Sequence, residues 1–296
     1  MDIIVNLNKP KDITSQDGVT KVKRMLKVKK AGHAGTLDPM ATGVLLVLIN
    51  KATRLAPYFS SLDKEYKAVM KLGTATDTQD AYGKVIKSCD DVSPDRKQIE
   101  EALNSFSGIT LQEPPMFSAL KHKGQPLYKL ARKGIEIERK TREINISLIE
   151  LIDVTLPYVT FRTRCSKGTY IRTLCHDMGK KLGTVAHLCE LERTAIGNFH
   201  ISDSISPDML YEKSKGEAVD KSIYSMSDAL SWLPELIIND SLSKAVSHGN
   251  PIQLNDLSEE LKQANSIKVK SQDNKLLSMG KYSPDKDVIK MDIVFV

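Results

Sequence analysis

Apolar and polar positions alternate from Lys64 to Leu72: Tyr66, Ala68, Met70 and Leu72 share one face and the charges lie mostly on the other, which predicts a half-buried strand. Ile3 to Asn8 reads as a second strand that ends at Lys9-Pro10, and Thr14 or Ser15 is placed to cap a helix carrying Val19, Val22 and Met25. The apolar run Val44 to Ile49 predicts a buried strand. A polar loop from Gly73 to Gly83 precedes a strand over Lys84 to Lys87, and Ser93 is the expected cap of a helix with Ile99, Leu103 and Phe106 on its inner face. Strand patterns resume at Ile144 to Leu151 and Tyr158 to Cys165. A helix from about Ile171 to Leu182 follows, stopped by Gly183, and then an apolar turn through His187, Leu188 and Leu191. These runs predict an α+β body built on a mixed, mostly antiparallel sheet.

Two segments break the pattern. From Glu113 to Glu143, 8 Lys plus Arg face 4 acids, with Pro114, Pro115, Gly124, Pro126 and Gly134 interrupting it, which predicts an exposed basic excursion with a short helix over Leu127 to Lys133. Tyr211 to Asp228 is polar and short of large apolar residues, and reads as a linker. Beyond it, Leu242 to Ile252 as a helix running into a Gly-containing turn and strands at Ile267 to Lys270, Lys275 to Met279 and Val288 to Val296 predict a small barrel-like domain. The expected division is residues 1–228, with the excursion at 113–143, and residues 229–296.

Charge narrows the partner. The chain of 296 residues carries +6; residues 229–296 hold 8 Lys, no Arg and 9 acids, so the first 228 residues carry +7. A polyanion surface therefore belongs to the larger part. No apolar segment approaches the roughly 20 residues of a membrane span, so no membrane partner and a cytoplasmic location are expected, for a monomer. The four cysteines form no CxxC pair. Cys175-His176 with His187 and Cys189 is a metal alternative, but Cys175 shares an apolar helical face with Ile171, Leu174 and Met178, which favours core packing. Neither a metal nor a cofactor is expected.

Candidate chemistry concentrates in Gly32-His33-Ala34-Gly35-Thr36-Leu37-Asp38-Pro39-Met40-Ala41-Thr42-Gly43-Val44-Leu45. Its glycines allow the backbone to approach a ligand closely, and Asp38 is the first acid after the basic stretch Lys21 to Lys30. Taken alone, the tripeptide Leu37-Asp38-Pro39 favours a surface turn. A second basic stretch, with Arg162, Arg164, Lys167 and Arg172, contains no acid between Thr160 and His176.

That loop, together with Lys64-Glu65-Tyr66, Thr76 to Asp80, Pro114 to Lys121, Leu127 to Gly134 and Cys165 to Arg172, resembles the TruB-type tRNA pseudouridine synthases in the same order along the chain. The resemblance implies cofactor-independent isomerisation of uridine 55 in the T arm of tRNA, with Asp38 as nucleophile at the sugar C1′ or the base C6. It further implies Arg172 as the cationic partner of Asp38, Tyr66 as the ring that stacks on the flipped uracil, and Tyr170 as a second pocket tyrosine orienting Asp38 and Arg172. His33 would fill the space the base vacates, Leu191 would wall the pocket, Asp80 would order the site, and Lys64, Lys121 and Arg132 would contact RNA. The C-terminal segment is similar to a PUA-type RNA-binding module. Asn8 stands where the family usually has Asp, Asp12 where it has Gly, and Glu192 where a basic residue is frequent. Two other classes compete: a non-catalytic RNA-binding or RNA-folding protein, which would not need Asp38, Tyr66, Tyr170 and Arg172 together, and a glycoside hydrolase, which normally needs two paired acids.

Overall fold

A ten-stranded mixed sheet spans the first 225 residues of the computed structural model, which describes residues 1–90, 93–213, 221–253 and 256–295. The strands lie in the order Ile223–Ser225, Ile3–Lys9, Thr42–Ile49, Ala186–Ile196, Lys64–Leu72, Tyr158–Cys165, Arg142–Thr155 and Gly108–Gln112. Ala31–His33 adds to Thr42–Ile49, and Phe199–His200 to Ala186–Ile196. The pairings are antiparallel except one: Thr42–Ile49 runs parallel to Ala186–Ile196, with Glu192 opposite Thr42 and Arg193 opposite Gly43.

The unbroken apolar run at 44–49 has a simple cause. Val44, Leu46 and Leu48 face a core with Phe59 and Phe199, while Leu45, Val47 and Ile49 face another with Val19 and Val22 of the Ser15–Met25 helix. A strand buried on both faces cannot show alternation. Lys64–Leu72 is covered on one face only: Tyr66, Ala68 and Met70 pack with Ile99, Leu103, Ile171 and Met178 from the helices Arg96–Asn104 and Ile171–Lys181.

Thr14 caps its helix as expected, accepting from Asp17 N while the Asp17 carboxylate accepts from Thr14 N. Three expectations are corrected. Asp95, not Ser93, caps the next helix, because Gln98 at its third position completes a reciprocal box with Asp95. The apolar segment through His187 and Leu191 is extended strand, since its pairing along Lys64–Leu72 outweighs a local turn. Of the expected linker, residues 214–220 lie outside the described residues, but Ile223–Ser225 pairs with Ile3–Val5 and belongs to the main sheet.

Glu235–Ile238, Ile267–Ser271, Leu276–Ser283 and Val288–Val294 form a separate four-stranded sheet with its own core of Ile238, Val246, Val269 and Ile289. Leu276, Met279 and Phe295 instead pack with Phe59 of the large body, where Trp232 meets the Phe59 ring edge-on at 5.6 Å. Lys51 Nζ donates to Phe295 O at 2.8 Å across the same junction. No helix among the described residues is long and apolar enough to cross a membrane.

The parallel join sets a steric limit that is directly testable. Gly43 has φ +101°, and a Cβ there would lie 2.2 Å from Arg193 O. Gly43→Ala is expected to destabilise the protein by roughly 3 kcal/mol or more, from the strained backbone and the forced separation of the strands. Urea unfolding measures this, and an unchanged midpoint would show that the join is not tight.

Candidate active site

The loop bearing Asp38 enters the parallel join with its backbone held at nearly every step. Leu37 N donates to Ser15 Oγ at 2.8 Å and Ser15 Oγ lies 3.1 Å from Leu37 O. Ala41 N donates to Asp38 O at 3.0 Å, and Asp12 N to Pro39 O at 2.9 Å. Buried Lys9 donates to the carbonyls of Ile13, Pro10 and Pro39 at 2.8, 2.9 and 3.3 Å. The carbonyls of Gly35 and Thr36 face the buried Arg193. With its frame held this way, the Asp38 side chain projects half-exposed at 34 %.

Arg172, 4 % exposed, meets that carboxylate from the first turn of its helix. Its Nε lies 2.9 Å from Asp38 Oδ2 and its Nη2 donates to Asp38 Oδ1 at 3.3 Å. The same guanidinium donates to Thr78 O at 3.0 Å and Phe117 O at 2.8 Å, and Nη1 stands 3.5 Å from Asp80 Oδ2. One side chain thus gathers the nucleophile candidate, the loop at 77–83 and the root of the basic excursion. Planar donors in fixed directions suit this task, which a Lys could not perform. The start of the helix is itself clamped: Gln112 accepts from Tyr170 N at 2.8 Å and donates to Tyr170 O at 3.0 Å.

Asp80 is buried beside this pair, but its Oδ1 accepts from Thr78 Oγ1 at 2.6 Å and Tyr82 N at 3.0 Å, so it orders the loop. Tyr66 and Leu191, at 9 % and 8 % exposure, share a core with Leu37 and Met40 next to Asp38. Burial pushes the Tyr66 hydroxyl pKa up, and the Arg193 guanidinium opposes this. A cleft of about 340 Å³ adjoins the loop, lined by Lys11, Met40, Thr42, Lys67, Leu191 and Glu192. His33 lies on the strand that enters the loop; its Nδ1 is buried without a hydrogen-bond partner, and burial followed by Arg193 lowers its pKa, favouring the neutral ring.

The structure separates other candidates from this group. Lys64 is buried, its Nζ donating to Ser60 O at 2.6 Å and to Leu62 O, and burial lowers its pKa to about 8. It holds its own chain segment and is not open to RNA. The Tyr170 ring packs under the Arg142 guanidinium at 4.6 Å, while Arg172 is the side chain that meets the Asp38 carboxylate. Lys121 and Arg132 are exposed on the excursion, where Arg132 stacks on Tyr128 at 5.6 Å. His187 Nδ1 lies 2.8 Å from Thr74 O and Cys175 is fully buried in the core; among the described residues no three His, Cys, Asp or Glu side chains gather as a metal site.

Asp12 explains its own departure from the family pattern. Its φ of +66° is where glycine is easiest, and Asp is among the residues that tolerate it. Its carboxylate also accepts from Tyr82 Oη, joining the first turn to the loop that carries Asp80. Sequence pattern alone points to no site role for Lys9, Ser15, Gln112 or Arg193. Lys9 alone stands out locally, as the cation that ends a mostly apolar strand, whereas Arg193 sits between Glu192 and Thr194 in a mixed strand.

Known proteins resemble this chain along nearly its full length. Residues 23–171 match the family described as TruB family pseudouridylate synthase (N terminal domain), and residues 172–231 match the tRNA pseudouridylate synthase B C-terminal domain. The tRNA pseudouridine synthase B of Clostridium tetani is 44% identical over 280 residues, 95% of this chain and 95% of that protein. A solved Cbf5-Nop10-Gar1 complex aligns with TM-score 0.75 at 29% identity, covering 99% of this chain and 85% of that one. An H/ACA RNP bound to a substrate RNA containing 2'-deoxyuridine aligns with TM-score 0.74 at 26% identity, covering 99% and 85%.

Proposed function

This chain belongs to the TruB family of pseudouridylate synthases, and from that premise we propose that it isomerises uridine 55 in the T arm of tRNA, with Asp38 as nucleophile. Conversion of uridine to pseudouridine breaks the N1 to C1′ bond, turns the uracil and rejoins it through C5, with loss of the C5 hydrogen. It needs neither a redox step nor net hydrolysis. The observation that carries the assignment is the Asp38–Arg172 ion pair at 2.9 Å, on a loop whose frame is held by Ser15, Lys9 and Arg193.

A carboxylate so held is preorganised to attack C1′ or C6 without reorienting. A uridine inside a folded T arm must first be flipped out, at a few kcal/mol. Stacking on Tyr66 typically returns about 1–3 kcal/mol, and Leu191 supplies an apolar wall. Neutral His33 takes the space left in the RNA. The exposed Lys121 and Arg132 hold the phosphate backbone, and residues 229–296 act as a PUA-type RNA-binding domain. Action as a monomer in the cytoplasm is part of the same proposal.

An unmodified tRNA transcript carrying [5-³H]uridine tests this. Incubation with the protein should release tritium and leave one pseudouridine, mapped to position 55 by mass spectrometry after cyanoethylation. Product at another uridine would move the specificity elsewhere, and no release would leave RNA binding as the function.

A further inference from the structure

Arg193 is the bulkiest fully buried side chain among the described residues, and it lies on the far strand of the parallel join. Its Nε donates to Val44 O at 2.7 Å, Nη2 to Gly35 O at 3.1 Å and Nη1 to Thr36 O at 3.3 Å. Gly35 and Thr36 enter the loop and Val44 leaves it. One rigid planar group therefore spans both ends of the segment that presents Asp38. The Arg193 backbone grips the exit as well, opposite Gly43.

All three acceptors are neutral backbone carbonyls. Burying a guanidinium is costly, and a neutral side chain could fill the same space, so strand packing alone does not account for a cation at this position. Its field acts on the site: it lowers the pKa of His33, Lys9 and Lys64 and opposes the upward shift of Tyr66. Burial, followed by Arg193, brings Lys9 and Lys64 to about 8.

We propose that Arg193 is a positioning residue for the isomerisation: by clasping both ends of the loop it sets where the Asp38 carboxylate stands relative to Arg172 and the Tyr66 ring. The inference rests on the functional reading above. Only a fork of donors in fixed directions reaches Val44 on one side and Gly35 and Thr36 on the other; a Lys ammonium cannot bridge them. A displacement of about 1 Å at a reacting atom is enough for a roughly hundredfold loss of rate.

The test compares Arg193→Lys, which keeps the charge, with Arg193→Gln, which removes it, by tritium release in single turnover at saturating tRNA. Gly35→Ala keeps Arg193 in place, since the new Cβ meets Nη1 only at an ordinary contact distance of 3.7 Å, and shifts one end of the loop because its φ of +116° strains any side chain. All three variants should lose roughly a hundredfold in rate while their tRNA Kd stays within about threefold of wild type. If Arg193→Lys turns over like wild type, or if rate, Kd and thermal midpoint fall together in every variant, the clasp is not a positioning device. If both Arg193 variants fail to fold, Gly35→Ala decides by the same rate-against-Kd split. Wild-type turnover on the same transcript tests the underlying reading, and the ratio of variant to wild type tests the inference.

Discussion

Asp38→Asn is expected to abolish pseudouridine formation while leaving tRNA bound. The amide is nearly isosteric with the carboxylate and retains an oxygen for the Arg172 guanidinium, so the loop and its backbone partners are preserved. It is not a nucleophile. A fall of at least about 10⁴ in single-turnover rate is expected, roughly 5 kcal/mol of lost transition-state stabilisation, with tRNA Kd within about threefold. Tritium release from the same transcript measures the first quantity and filter binding the second. Substantial product from the variant would remove Asp38 as nucleophile; equal loss of binding would assign the carboxylate to RNA recognition.

Arg172→Met is expected to cost both stability and activity, because the guanidinium joins four partners from three segments. Its removal leaves Thr78 O, Phe117 O and the buried Asp80 without their cationic donor. Breaking a buried charge pair from one side typically costs about 3–5 kcal/mol, mainly through the charge left behind. Arg172→Lys should return part of the stability, since the charge remains, and little of the rate, since one ammonium cannot face Asp38, Thr78 O and Phe117 O together. Urea unfolding and single-turnover rates separate the two. A Met variant as stable as wild type would show that the network holds nothing together, and a Lys variant of normal rate would show that charge alone orients Asp38.

Under the proposed function, the placement of Arg172 would join RNA docking to chemistry. Phe117 lies at the root of the basic excursion and Asp38 is the proposed nucleophile, and the same Nη2 donates to both. Tyr170, expected to share in orienting Asp38, lies under Arg142, with Gln112 clamping its backbone.

Local pattern was sufficient where an element's partners lie close in sequence or its burial is one-sided. The Lys64–Leu72 strand alternates because only one face is covered, and Thr14 caps its helix through Asp17, three residues on. Asp95 took the next cap from Ser93 for the same local reason, a reciprocal bond with Gln98 that composition alone underweights. The loop from Gly32 to Leu45 was legible because its residue types are unusual together, and the order of several such blocks pointed to the family.

What the sequence by itself determined was the strand periods, the loop that carries Asp38 and, through the family resemblance, the Arg172 that meets it. Only the tertiary structure decided the parallel join of Thr42–Ile49 with Ala186–Ile196, the inward turn of Lys64, and the use of Ser15, Lys9 and Arg193 to hold the loop. The physical reason is that these residues act through backbone groups, distant ones for Ser15, Arg193 and the Lys9–Pro39 bond and near ones for Lys64. A carbonyl leaves no mark on residue identity, so its donors appear in the sequence only as an ordinary Ser, Lys or Arg.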